Sequence, residues 1–272
     1  MSVPKLIGRA AVLTGLLLML WVGVSANSQD AVWPERGKSS KSNGKLVLDV
    51  THMEDGYVMA GVKKQSKKRL KLRITKGKET LTYDLNNKGE MEVFPLQMGS
   101  GKYSVSLFEN VSGKKYSQAG KISISPKLTS EDAAFLAPNQ YVNYTRLSAA
   151  VAKSDELCAG KSGQDAAQAV VNFMKSSFMY DYIRAATVTA GMLPDIDGSF
   201  EKRMGICQDL SAITCCLMRV AGVPCKMAIG YADKQYHAWT LIVVDGKEKF
   251  FDPTAAISSI AKPRTYTIER MY

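Results

Sequence analysis

The chain has 272 residues, 46% of them hydrophobic, with five cysteines and a formal net charge of +11. Five cysteines spread over this length exclude a small disulfide-stapled scaffold. The charge is uneven: residues 44–127 hold 16 Lys and Arg against 8 Asp and Glu, whereas residues 130–272 hold 15 of each, so the basicity belongs to the N-terminal half.

Lys5 and Arg9 precede an apolar run from Ala10 to Val24, and Val24-Ser25-Ala26 supplies the small residues of a cleavage site. Residues 1–26 therefore read as a secretory signal, which places the mature chain outside the cytoplasm, secreted or held at the cell surface. Left uncleaved, the same run would tether the protein to a membrane. Residues 27–44, polar and rich in Ser, Lys and Gly, read as a flexible leader.

Short alternating runs follow at Lys45–Val50, Gly56–Ala60, Arg69–Ile74, Thr80–Leu85, Tyr103–Phe108 and Lys121–Ser125. Their spacing predicts a small antiparallel, sandwich-like all-β domain over residues 45–127, with one wet face and enough chain for a core of its own. The basic run from Lys63 to Arg73 suits an anionic polymer such as a cell-wall component; it equally suits a solvated strand edge guarded by lysines. Nucleic acid is not an expected partner, because export removes the chain from most of it and the run lacks interleaved aromatics for base stacking.

The second domain, residues 130–272, opens on Phe135–Tyr144. Residues 164–182 predict an amphipathic helix with Ala167, Val170, Val171, Met174 and Phe178 inward. Asp195-Ile196-Asp197-Gly198 reads as a turn, since a calcium loop would need a bidentate Glu at position 206, which is Ile. No metal site is expected: His52 and His237 are far apart in sequence and no Cys-x-x-Cys pair exists.

Leu210, Ile213, Leu217 and Val220 fall at helical spacing and predict a helix that begins at Cys207 and is ended by Gly222 and Pro224. A thiol at a helix N-terminus meets unpaired N–H groups and the positive end of the dipole, which favour the nucleophilic thiolate and leave an N–H for an oxyanion. Two strand-like runs follow, Cys225–Tyr231 and Tyr236–Val244, then Asp245-Gly246 and Lys249–Asp252; the Asp-Gly step signals a hairpin. A two- or four-residue turn puts Asp252 on the sheet face of His237 as its diagonal neighbour, and a three-residue turn puts them on opposite faces. On this reading Cys207 is the nucleophile, His237 its base and Asp252 the group that orients the imidazole. Gln208 and Tyr236 are candidate substrate contacts. Trp239, on His237's face, either covers the site or packs in the core. Cys158, Cys215, Cys216 and Cys225 read mostly as buried free thiols.

Gly205-Ile206-Cys207-Gln208-Asp209-Leu210-Ser211, Leu217-Met218-Arg219-Val220-Ala221-Gly222-Val223-Pro224, Gly230-Tyr231, His237-Ala238-Trp239 and Phe251-Asp252-Pro253-Thr254 resemble the transglutaminase-like superfamily of papain-type thiol enzymes. Met179–Tyr182 and Leu193–Gly198 look like the segment preceding the nucleophile in bacterial members. The resemblance spans residues 165–260. It implies an α+β core in which the cysteine helix packs on an antiparallel sheet, and it matches Cys207 to the nucleophile, His237 to the base and Asp252 to the orienting acid. Gln208 departs from the pattern, standing where many relatives have an aromatic residue. The implied chemistry is thiolate attack on a peptide or isopeptide amide, without cofactor. Hydrolysis is favoured over protein cross-linking by amine transfer, and a non-catalytic envelope-binding module is the alternative outside enzymes.

Overall fold

The computed structural model describes residues 31–258 and 263–272. The signal-like segment lies outside the described residues.

The N-terminal half is all β. One antiparallel sheet has the order β1 (Ser40–Asn43), β2 (Leu46–Asp49), β3 (Tyr57–Val62), β6 (Glu92–Pro95). The other has the order β5 (Glu79–Leu85), β4 (Leu70–Lys76), β7 (Tyr103–Ser112), β8 (Lys115–Ile124). Alternation explains the layers: on β4, Leu70, Leu72 and Ile74 are buried while Arg73 between them is exposed. They meet Leu46, Leu48, Phe94, Val105 and Leu107 in one apolar cluster, the arrangement of a sandwich.

Two strands of this half went unpredicted. Residues 40–43 do not belong to a flexible leader: they pair with β2 in register from Ser40↔Asp49 to Asn43↔Leu46. Their side chains are exposed, so no hydrophobic pattern announced the strand; backbone hydrogen bonds make it. Earlier in the same segment, Trp33 packs edge-on against Tyr144 at 5.9 Å. Residues 92–95 gave no clear alternation, yet pair with β3.

The C-terminal half is mixed α and β. Its antiparallel sheet has the order β13 (Lys247–Phe251), β12 (Gln235–Val244), β11 (Cys225–Ala232), β14 (Tyr266–Met271). Helices α1 (Ala149–Cys158), α2 (Gly163–Ser177), α3 (Tyr182–Thr187), α4 (Ile196–Lys202), α5 (Cys207–Val220) and α6 (Pro253–Ile257) surround it. The helix expected to reach Tyr182 stops at Ser177. Phe178 is extended, and the next two residues form β9 (Met179–Tyr180), parallel to β10 (Met204–Gly205) just before Cys207. Asp195-Ile196-Asp197-Gly198 is not a free turn but the start of α4, with Asp195 accepting from the Gly198 N–H at 3.0 Å.

Helix α5 is the central element, buried from Asp209 to Val220. It ends as expected, with Gly222 at φ 72°, a left-handed position that favours glycine. The four remaining cysteines are buried free thiols; Cys215 and Cys225 bring α5 and β11 together with their sulfurs 3.4 Å apart. Arg219, wholly buried, donates to the carbonyls of Cys225 (3.0 and 2.8 Å), Ala137 (2.7 Å) and Tyr272 (2.8 Å), fastening the helix to both β11 and the segment after β14. The two halves are packed together. Gln97 donates to the Met271 carbonyl, Tyr83 meets Tyr272 edge-on at 6.1 Å, and the apolar cluster runs through both.

Candidate active site

Three local choices place Cys207. Ile206 is extended at φ −87° and ψ 176°, the backbone of an N-cap. Its side chain has no acceptor, so the capping comes from Asp209, whose carboxylate accepts the Ile206 N–H at 3.1 Å. The first intrahelical bond runs from Leu210 N–H to the Ile206 carbonyl, which leaves the N–H groups of Cys207 and Gln208 without acceptors in the helix.

Asp209 does more than cap. It is fully buried, and it also accepts the Asp195 N–H at 2.9 Å and an Arg184 guanidinium N–H at 3.1 Å. One carboxylate thus binds α3, the start of α4 and the turn bearing Cys207. Burial pushes its pKa up, and the two backbone donors and Arg184 only partly offset that.

His237 comes from β12. The hairpin turn is Asp245-Gly246, both at positive φ, with Val244 opposite Lys247 and Thr240 opposite Phe251. The two-residue alternative is therefore the one realised, and the parity it fixes carries Asp252 to the histidine. Nε2 of His237 donates to Asp252 Oδ2 at 2.8 Å, which leaves Nδ1 as the ring nitrogen free to serve the thiol.

Asp252 sits just past β13 as the N-cap of α6, its Oδ1 accepting the Ala255 N–H at 3.0 Å. The Tyr266 hydroxyl donates to Oδ2 at 2.8 Å. The electrostatics follow from these partners. Burial would lower the His237 pKa, but the hydrogen bond to Asp252, and then the interaction with Cys207, raise it to about 9. Burial would raise Asp252, and the His237 bond and charge, the Ala255 N–H and Tyr266 hold it below the ordinary carboxylate range. Burial and the bond to Asp252 push Tyr266 up to about 12.

Cys207 and His237 line one cavity of about 140 Å³, with Gln208, Met192, Ile229 and Tyr236 among its walls. Gln208 donates to the Met192 carbonyl at 3.3 Å and so fixes one wall. Tyr236 stands at the rim, half exposed, edge-on to Tyr231 at 5.5 Å. Trp239 does not line this cavity. It is 1% exposed, lies behind His237 at 6.2 Å and 24°, and meets Tyr266 at 5.0 Å. It backs the imidazole because residues 237 and 239 share a strand face, and that face is closed by Tyr266.

A thiol, an imidazole and a carboxylate in this order can generate a nucleophile, move its proton and hold the imidazolium that results. Residues 151–251 match the family model of the transglutaminase-like superfamily. This segment carries a transglutaminase-like core. Asp252 lies one residue beyond the matched range. Among solved structures, the chain is similar to a Cytophaga hutchinsonii protein provisionally called a cysteine protease, at 14% identity over 74% of this chain and 71% of that one, TM-score 0.41. It is also similar to the periplasmic domain of TgpA from Pseudomonas aeruginosa, at 12% identity over 72% and 92%, TM-score 0.38. Red sea bream transglutaminase matches at 11% identity over 85% of this chain and 51% of that one, TM-score 0.35. No curated protein matches the sequence.

Sequence reasoning missed Asp209, Arg184 and Tyr266 as members of the candidate site. Asp209 had a signal, an acid at the third helical position after an N-cap. Tyr266 had little, since it lies fourteen residues past Asp252 on a short strand whose middle four residues are all exposed.

Proposed function

We propose that the chain is a secreted thiol enzyme that attacks peptide or isopeptide amides through Cys207, His237 and Asp252. The observation that carries this is the bridging position of His237, in one cavity with Cys207 and 2.8 Å from a buried, multiply hydrogen-bonded Asp252. Cys207 Sγ gives its proton to His237 and adds to the amide carbonyl, with the free N–H groups at the start of α5 facing the developing oxyanion. His237 then protonates the leaving amine, and a water that enters the site resolves the acyl-enzyme. Asp252 holds the imidazole in place and stabilises its charge, so the chemistry calls on no cofactor.

Hydrolysis is the favoured outcome over amine transfer. Its support is the pairing of a basic β region with an export signal, which suits processing of envelope peptides. The exposed face of β4 adds to that picture: Lys71, Arg73 and Lys114 border a hollow with Phe108 and Tyr116, a surface suited to an anionic polymer of the cell wall. The experiment is to incubate residues 27–272 with a mixture of envelope peptides, and separately with a glutamine-bearing protein and a fluorescent primary amine. New peptide termini that vanish in Cys207→Ala support hydrolysis; label on the protein instead assigns a cross-linking enzyme; neither product, with Cys207 no faster toward iodoacetamide than glutathione, refutes the catalytic reading.

A further inference from the structure

The cavity beside Cys207 holds a cation that the thiol chemistry leaves unused. In the register of the sheet, Ala238 on β12 pairs with Ile229 on β11, and Ile229 pairs with Arg270 on β14. Directly paired residues share a sheet face, and all three line the cavity with Cys207 and His237. The close approach of β14 depends on Gly230: a Cβ there would stand 2.0 Å from the Thr267 carbonyl oxygen. A bulge between Ile229 and Gly230 then restores Arg270 to its place opposite Ile229.

The surroundings of Arg270 are aromatic. Tyr141, Tyr236 and Tyr272 line the cavity together with it. Tyr141 stacks on Tyr272 at 3.6 Å and 14°, making a rigid wall for it. No carboxylate of the described residues, its neighbour Glu269 included, forms an ion pair with it. The other guanidinium close to this site is differently placed, since Arg184 is occupied by Asp209. An arginine held on an aromatic wall, facing a cavity and lacking an acid, presents a planar fork of donors matched to a carboxylate.

We propose that Arg270 receives a carboxylate of the substrate, so that the site acts on amides lying next to a free carboxylate in a peptide. The proposal rests on the thiol-enzyme reading above and adds to it a substrate class: anionic peptides, presented with the carboxylate toward β14 and the amide toward Cys207. The carboxylate belongs either to a chain terminus or to an acidic side chain, and matched reagents separate these sources.

The test is the rate of Cys207 alkylation, read by peptide mass mapping, with two pairs of thiol reagents that differ only in charge. Iodoacetyl-glycine and iodoacetyl-glycinamide present a terminal carboxylate or its amide; the α-amides of iodoacetyl-glutamate and iodoacetyl-glutamine present a side-chain carboxylate or its amide. Each ratio is normalised to glutathione and measured in wild type, Arg270→Gln and Arg270→Lys. A charge-assisted contact predicts that the acidic member of at least one pair gains roughly tenfold in wild type, with the gain lost in Arg270→Gln, partly kept in Arg270→Lys and weakened by salt. The favoured pair tells terminal from side-chain recognition. Equal rates within both pairs, or a preference that survives Arg270→Gln and so belongs to His237, overturn the proposal while leaving the thiol enzyme standing. A Cys207 no faster than glutathione toward every reagent overturns both. Arg270 is exposed on an edge strand, and unchanged thermal melting of Arg270→Lys controls for folding.

Discussion

Tyr266 and His237 donate to the same oxygen of Asp252, each at 2.8 Å. The carboxylate is therefore held by two ring systems that also touch one another, at 6.3 Å between centroids. A rotation that would break the imidazole bond must also break the phenol bond. Tyr266→Phe keeps the packing against Trp239 and Phe250 and removes only the hydroxyl. The Asp252 oxygen then serves His237 alone and is the more basic for it, and the His237 titration midpoint rises above about 9. With two histidines in the chain, NMR titration of the imidazoles reads this directly. An unchanged midpoint would show that the hydroxyl does not act on the imidazole. The cost in kcat/KM is about tenfold, the scale of one hydrogen bond to a charged group.

Stability should decline on the alkaline side for the same reason. The His237 pKa is raised from 6.5 to about 9, so its contribution is complete below pH 6.5 and disappears as pH rises through about 9. Asp252, held low, contributes above the ordinary carboxylate range and loses that contribution as pH falls through its lowered value. The histidine contribution is on the order of 3 kcal/mol at its largest. Unfolding midpoints recorded at pH 6 and pH 9.5 should differ in wild type and converge in His237→Gln; parallel shifts in the two proteins would contradict the linkage.

Asp209→Ala strips the acceptor from Ile206 N–H, Asp195 N–H and Arg184 together. It leaves a partly buried guanidinium without its closest acid. The expected cost is about 3–5 kcal/mol by urea denaturation, with thiol reactivity at Cys207 lost in the fraction that remains folded. Asp209→Asn keeps an acceptor and should recover part of both. A melting curve for Asp209→Ala that overlays wild type would rule out this anchoring role.

Arg219→Leu tests the other fastening. Three carbonyls, of Ala137, Cys225 and Tyr272, lose a buried donor at once. The Tyr272 carbonyl keeps the Met227 N–H, and each of the other two, left unsatisfied, costs about 1–3 kcal/mol, so the variant should be destabilised by at least about 2 kcal/mol. Hydrogen exchange should rise first in β14, which is tied to the rest through Tyr272 and the β11 ladder. Exchange that rises evenly over the chain would mean Arg219 is not specific to that edge.

The parts of the site that lie within local reach were determined by sequence alone. The 3.6-residue period after Cys207 and the stop at Gly222 and Pro224 delimit α5, because helix periodicity and capping are short-range properties. The Asp245-Gly246 step announces the hairpin, while the two-residue length of its turn, which sets the parity that brings Asp252 to His237, was fixed by the structure. The sandwich strands were legible wherever one face is buried, as on β4, and invisible where both faces are wet, as at Ser40–Asn43. What only the tertiary structure decided depends on a strand that returns from far along the chain. Residues 267–270 of β14 are all exposed and carry no hydrophobic signature, so nothing local says that Tyr266 meets Asp252 or that Arg270 stands opposite Ile229. Those positions follow from the β11 ladder, the close contact allowed by Gly230 and the carbonyls gathered by Arg219, which are contacts between residues distant in sequence.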